Sequence, residues 1–166
     1  MRTALGVCFG AAALLSFALC IPAVAAEAGK DKDKAIPKQK DAVDQLIHAM
    51  GTYYRPAARA KGAERKELCR KAVRAFEAVW TYFPKTKDRL SPMMARFYQG
   101  MCYNELGERK KAAQAFLAAY RQPYPTKVRD RHQGQIATFH RMAHDQLLRL
   151  ADVLSVEERE EVNRER

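Results

Sequence analysis

The sequence predicts an all-α protein in which helix pairs stack in succession and a long C-terminal helix caps them. Three observations predict this. Apolar residues recur at helical spacing in successive segments of the 166-residue chain. No useful length alternates with the period of two that a half-buried strand needs. Pro and Gly fall between the periodic segments, where they end one helix and allow the next to begin.

The first 26 residues carry one charge, Arg2, ahead of an apolar run from Ala4 to Ile21. Pro22 ends that run. Ala23-Val24-Ala25 fits a small-residue cleavage pattern, with Val24-Ala25-Ala26 as the one-residue alternative. Residues 1–26 therefore read as an export signal removed from a periplasmic or secreted protein. An uncleaved membrane anchor is the rival, because the uncharged stretch is long enough to span a bilayer. Leu19 precedes Cys20 where a lipidated Cys needs a small neighbour, which argues against a lipoprotein.

Residues 27–40 are charged and nearly lack large apolar groups, so they read as a disordered leader. A helical domain over 41–154 follows. Asp41 is the expected N-cap of its first helix, with Val43, Leu46, Ile47, Met50 and Tyr54 on one face. Pro56 is expected to end or kink that helix, since it lacks the N–H that bonds back one turn. Leu68, Cys69, Ala72, Val73, Phe76, Val79, Trp80 and Phe83 form the wide stripe of a second helix, which Pro84 stops. Ser91-Pro92 offers a capping hydroxyl and a Pro at the first helical position for a third. Gly107 closes the third helix, and Pro123 and Pro125 close a fourth. Thr126 caps a fifth, whose helical period continues from Val128 to Leu154. Ser155-Val156-Glu157-Glu158 is a capping box opening a last charged helix, 155–166, with few apolar anchors and therefore expected to fray.

Without 1–26 the chain keeps 29 Lys and Arg against 19 Asp and Glu, a net +10. Such a balance favours acidic proteins, anionic lipid or anionic wall polymer as partners. Nucleic acid is not expected, because an exported protein seldom meets it. Lys66, Arg70 and Arg74 lie four apart on the second helix, and Lys85, Lys87 and Arg89 follow in a loop. Together they are the candidate anion-binding residues, against the simpler reading that they solvate exposed faces. Cys69 and Cys102 remain after the signal is lost. An oxidising compartment permits a disulfide between them, yet both fall on apolar faces where free Cys commonly packs.

One spacing occurs twice. Ala72, Phe76, Val79 and Pro84 are separated by 4, 3 and 5 residues, and Ala112, Phe116 and Ala119 repeat the first two steps. The next step of 5 reaches Tyr124, between Pro123 and Pro125. Upstream stand Gly100, Tyr103 and Gly107. This pattern resembles the tetratricopeptide repeat, a helix-turn-helix unit that usually holds other proteins. The match is fullest over 93–126. The preceding unit matches only in its second helix, and Gln133-Gly134 echoes Gln99-Gly100 at the start of a third. Ala72 and Ala112 are 40 apart, against about 34 in the family, which places extra residues between Pro84 and Gly100.

The resemblance implies an α-α superhelix of about two helix pairs plus the capping helix, acting as a protein–protein interaction scaffold. It implies a groove lined by the first helix of each pair, which by register nominates Met94, Phe97, Met101, Asn104 and Glu105. The competing reading makes Phe97 and Met101 ordinary core, covered by the first helix. A face left open at the end of a short array would be completed by a partner or by a second copy.

Catalytic and cofactor patterns are missing: no C-x-x-C-H, no phosphate-binding Gly loop, no G-x-S-x-G, and acidic residues that are scattered or lie in the leader and tail, with Glu77 and Asp88 alone among bases. The chain is therefore expected to be neither an enzyme nor a cofactor protein. The weak alternative is a metal site at His140 and His144, four apart on one helix, with His132 upstream and Asp145 adjacent.

Overall fold

Asp41 accepts a hydrogen bond from the Asp44 N–H at 2.9 Å and so opens α1, Ala42–Ala49, as expected of an Asx cap. A computed structural model describes residues 35–123 and 133–164. Among these residues every regular element is helical. Residues 1–34 lie outside the described residues, and with them the expected signal and most of the leader. The same holds for Tyr124, Pro125, Thr126, Val128 and His132.

Pro56 does not end the first helix. A π-helical turn, Met50–Tyr54, joins α1 to α2, Arg55–Arg59. Widening the ladder there sends the Arg55 N–H back to the Met50 carbonyl. That shift relaxes the crowding an interior Pro ring meets against the carbonyl four residues back. Helical backbone therefore runs through Pro56, and the chain turns at Ala60 and Gly62 instead. Gly62 adopts φ 56°.

α3, Gly62–Tyr82, buries Cys69, Ala72, Val73, Phe76 and Val79 along the expected stripe. α4, Leu90–Leu106, is capped earlier than Ser91-Pro92 suggests. The Asp88 carboxylate accepts from the N–H groups of Leu90, at 3.0 Å, and Ser91, while Ser91 itself is buried in the first turn. Gly107 closes α4 at φ 77°. The Gly107 N–H bonds to the Asn104 carbonyl at 3.0 Å and the Glu108 N–H to that of Tyr103 at 2.9 Å. This is the paired closure that a left-handed residue permits, and α5, Arg109–Tyr120, starts at once.

α4 and α5 pack unusually closely at Gly100. A Cβ placed there would stand 2.7 to 2.9 Å from three atoms of the Phe116 ring. Ala112 and Phe116 are fully buried beside it. Gly134 has no such neighbour, so the Gln-Gly echo on α6, Gln133–Arg149, serves no close approach.

Two cores result. One joins α1, α2, α3 and α4; the other joins α4, α5, α6 and α7, Val156–Asn163. α4 belongs to both. The first helices of successive pairs touch in order, α1 to α4 and α4 to α6.

Two charged segments are more ordered than their composition suggests. Residues 36–40, read above as the end of the leader, lie against the helices. The Tyr82 hydroxyl donates to the Ile36 carbonyl at 2.8 Å, and the Gln39 N–H donates to the buried Gln45 side chain at 3.0 Å. At the other end α7 is docked rather than frayed. Its capping box forms, Val162 is buried, and its acids meet side chains on and just past α5. Arg121 pairs with Glu161 at 2.6 Å and Gln114 donates to Glu158 at 3.0 Å.

The Arg121 hydrogen bond holds the Glu161 carboxyl below its usual range. The Ser155 N–H, then Gln114, does the same for Glu158. A carboxyl depressed in the fold stabilises it fully above the unfolded pKa, about 4.3, and loses that contribution as pH falls through the folded value. Acidification below about pH 4 should release α7 before the core opens. The loss is small, below about 1 kcal/mol per exposed contact. Amide exchange should show protection lost across 156–163 while α4 and α5 stay protected. Equal protection of all three at low pH would contradict the docking described here.

Candidate functional site

The site is best built from α4, which the fold covers on most sides. Met94, Tyr98, Met101 and Glu105 are spaced 4, 3 and 4 apart and so share one side of the helix. Met94, Tyr98 and Met101 are half-buried and Glu105 is exposed. This side faces neither core fully. Tyr98 packs against both of them.

Three rings meet along that side, one from the first helix of each pair. Tyr98 lies 4.8 Å from Tyr54, at the end of the first helix's π-turn, and 5.8 Å from Phe139 of α6. All three are half-buried. The run therefore crosses the face shared by the first, third and fifth predicted helices. Burial pushes the Tyr54 hydroxyl up to about 12 and also raises that of Tyr98, where the nearby Arg55 charge partly opposes the shift. Both phenols thus stay neutral and available to donate near neutral pH. At one end of the run a small cleft, ≈ 40 Å³, opens among Tyr54, Ala57, Cys69 and Met101. Arg65 and Glu105 stand at its rim, paired at 2.7 Å. The face thus offers apolar rings and thioethers with polar tips at the tyrosine hydroxyls and the Arg65–Glu105 pair.

Of the residues nominated from sequence, Met94, Met101 and Glu105 reach this face. Phe97 does not. It is 3% exposed, with its ring 5.5 Å from both Phe116 and Phe139. It is core, as the competing reading had it, though α5 and α6 cover it rather than the first helix. Asn104 is half-buried, and its carbonyl serves the Gly107 closure. The three rings of the run, Tyr54, Tyr98 and Phe139, are not among the nominated residues. Tyr98 could have been found, because it continues the i, i+4, i+7 stripe that Met94 and Met101 begin.

The repeat-pattern residues serve packing. Ala72, Phe76, Val79, Ala112, Phe116 and Ala119 are fully buried. Tyr103 is half-buried under the Lys111 ammonium, 5.7 Å from the ring centroid. Pro84 lies exposed just past the end of α3.

The basic residues do not converge. Lys66, Arg70 and Arg74 lie on the exposed face of α3, interleaved with Glu67 and Glu77, and Arg70 pairs with Glu67 at 3.2 Å. Lys85, Lys87 and Arg89 are exposed in the loop beyond the helix, at least two turns from Arg74. One basic residue that was not nominated sits on a ring. Arg96 stacks its guanidinium on Trp80, 4.6 Å from the ring centroid.

His140 and His144 each contact a group on another element. His140 stacks on Tyr120 with centroids 4.5 Å apart, and the His144 Nε2 lies 2.9 Å from the Val162 carbonyl. Among the described residues no group of three His, Cys, Asp or Glu could hold a metal ion. His144 thereby touches α7, while His140 packs on α5.

Comparison with family models, with curated proteins and with solved structures finds no match to this chain. Among the described residues no helix is long and apolar enough to cross a membrane.

Proposed function

We propose that this chain is an exported, tetratricopeptide-like adaptor that binds a protein or peptide of the cell envelope along the α1–α4–α6 face. The observation that carries the reading is the line of three half-buried rings, Tyr54, Tyr98 and Phe139, one from each successive first helix. Met94 and Met101 flank the line with adaptable thioethers. Tyr rings offer an apolar body and a polar tip, which suits a surface alternating between dry and wet states. An amphipathic helix or an extended peptide fits such a face, its apolar side on the rings and a basic group at Glu105. The uncharged segment and small-residue cleavage pattern within 1–26 support export.

Crosslinking in intact cells followed by purification of this chain should recover one protein at near-equal stoichiometry. Met101→Lys should reduce the yield at least tenfold, because a buried interface contact becomes an unpaired charge, about 1.4 kcal/mol or more. Arg70→Glu, on the exposed face of α3, should leave it unchanged. Recovery of no protein partner, or equal loss from both variants, would count against the reading. Steep salt-sensitive binding to anionic vesicles would favour the anionic lipid or wall-polymer alternative instead.

A further inference from the structure

We infer that the outer line of α1 and α2 is a self-association surface, through which two copies of this chain pair their first helices antiparallel. The inference does not rest on the proposed binding role. Four large apolar side chains stand exposed among the described residues, and two of them, Val43 at 45% and Ile47 at 62%, lie one turn apart on α1. α1 stands at the end of the stacked helices. The outer face of such a terminal helix is ordinarily polar, which keeps the stack soluble. α7, at the other end, surrounds its exposed Val156 with exposed Glu157, Arg159 and Glu160. α1 has no such screen around Ile47.

The exposed line continues past those two residues. Val43, Ile47, Gly51, Arg55 and Arg59 follow one another every four residues, and all five are exposed. Four such steps would carry an ordinary helix through about 160°. The wider π-turn at Met50–Tyr54 takes back part of that drift. It holds Arg55 outward while Tyr54 turns in toward Phe76 and Tyr98.

Charge selects the occupant. Asp41 and Asp44 stand at the N-terminal end of the line, and Arg55 and Arg59 at the other. Among the described residues none of these four makes an ion pair. An antiparallel copy centred near Ala49 and Met50 sets Asp44 beside the second copy's Arg55 and Asp41 beside its Arg59. The two-fold axis repeats both contacts. A parallel copy would instead set like charges together. The antiparallel register also lays Ile47 over the second copy's Gly51 and Thr52. A Cβ placed at Gly51 would meet nothing within 4 Å, so the missing side chain leaves a hollow that Ile47 can fill. The line is about 27 Å long. A strip of that length covers less than the about 800 Å² per partner of a standard interface, so the dimer is weak, with a Kd of about 10 μM.

Sedimentation equilibrium on the chain as the cell processes it, from about 1 to 100 μM, should show a monomer–dimer equilibrium. Ile47→Glu should raise the Kd at least tenfold, and the exposure of Ile47 lets the fold tolerate the change. Asp44→Arg alone and Arg55→Asp alone should each weaken the dimer, by setting Arg against Arg and Asp against Asp. Mixed in equal amounts, these two variants should pair again, because each Arg then faces an Asp. A fold that the substitutions had merely damaged would give no such rescue. A monomer at every concentration, a dimer indifferent to Ile47→Glu, or a mixture that associates no better than either variant alone would overturn the surface.

Discussion

Phe97→Ala should cost about 4 kcal/mol and lower Tm by roughly 15 °C. Phe97 is 3% exposed and its ring meets Phe116 of α5 and Phe139 of α6. Removing it takes contacts from three helices at once, and the close approach at Gly100 leaves little room for the site to collapse. A loss of that size is a large part of the total stability of a domain, which is about 5–15 kcal/mol. Chemical denaturation with an unchanged m-value would measure it. A groove residue would behave in the opposite way: the variant would keep its Tm and lose its partner. The outcome therefore separates core from surface at the position where sequence register and structure disagree.

Gly100→Ala should also destabilise, by about 2 kcal/mol, although Ala is the better helix former by about 1 kcal/mol. The new Cβ would stand 2.7 Å from a Phe116 ring that is itself fully buried and cannot swing away. Phe116→Leu alone should destabilise by about 1–2 kcal/mol, but in the Gly100→Ala background it should cost less, because the smaller side chain makes room for the methyl. A double-mutant cycle with a coupling near zero would show that Gly100 is not there for the close approach of α4 to α5. Gly134→Ala, with open space around it, should be neutral or stabilising.

The contrast between those two glycines shows what the sequence made legible. The repeated Ala-Phe spacing located α3 and α5 and their buried faces, because a stripe at helical period over four turns admits few other foldings. Gly107 was legible for the same reason: only a left-handed closure fits a Gly between two periodic segments so close together. The π-turn ahead of Pro56 was not legible, since nothing local says whether a helix will break at Pro or widen to pass it. Ser91-Pro92 looked like the start of α4, yet Asp88 serves the N–H groups, because a carboxylate is the stronger acceptor and the loop turns it inward.

The candidate site was half legible. Met94, Met101 and Glu105 follow from the register of one helix. Tyr98 shares that register, but setting aside its neighbour Phe97 requires knowing that α5 and α6 cover one side of α4. That is information carried by tertiary packing. The docking of α7 was hidden likewise: its Glu158 and Glu161 find Gln114 of α5 and Arg121 just past the end of α5, some forty residues away in sequence. Charge content alone reads such a segment as solvated.

The most direct measurement of the binding surface is photo-crosslinking in cells from a benzophenone side chain placed singly at Met94, at Met142 and at Arg74. Met94 flanks the ring line, and Met142, 39% exposed, lies one turn beyond Phe139 on α6. Arg74 is exposed on α3, away from it. The account predicts one protein partner captured from Met94 and Met142 and none from Arg74. Capture of that partner from Arg74 alone would contradict it.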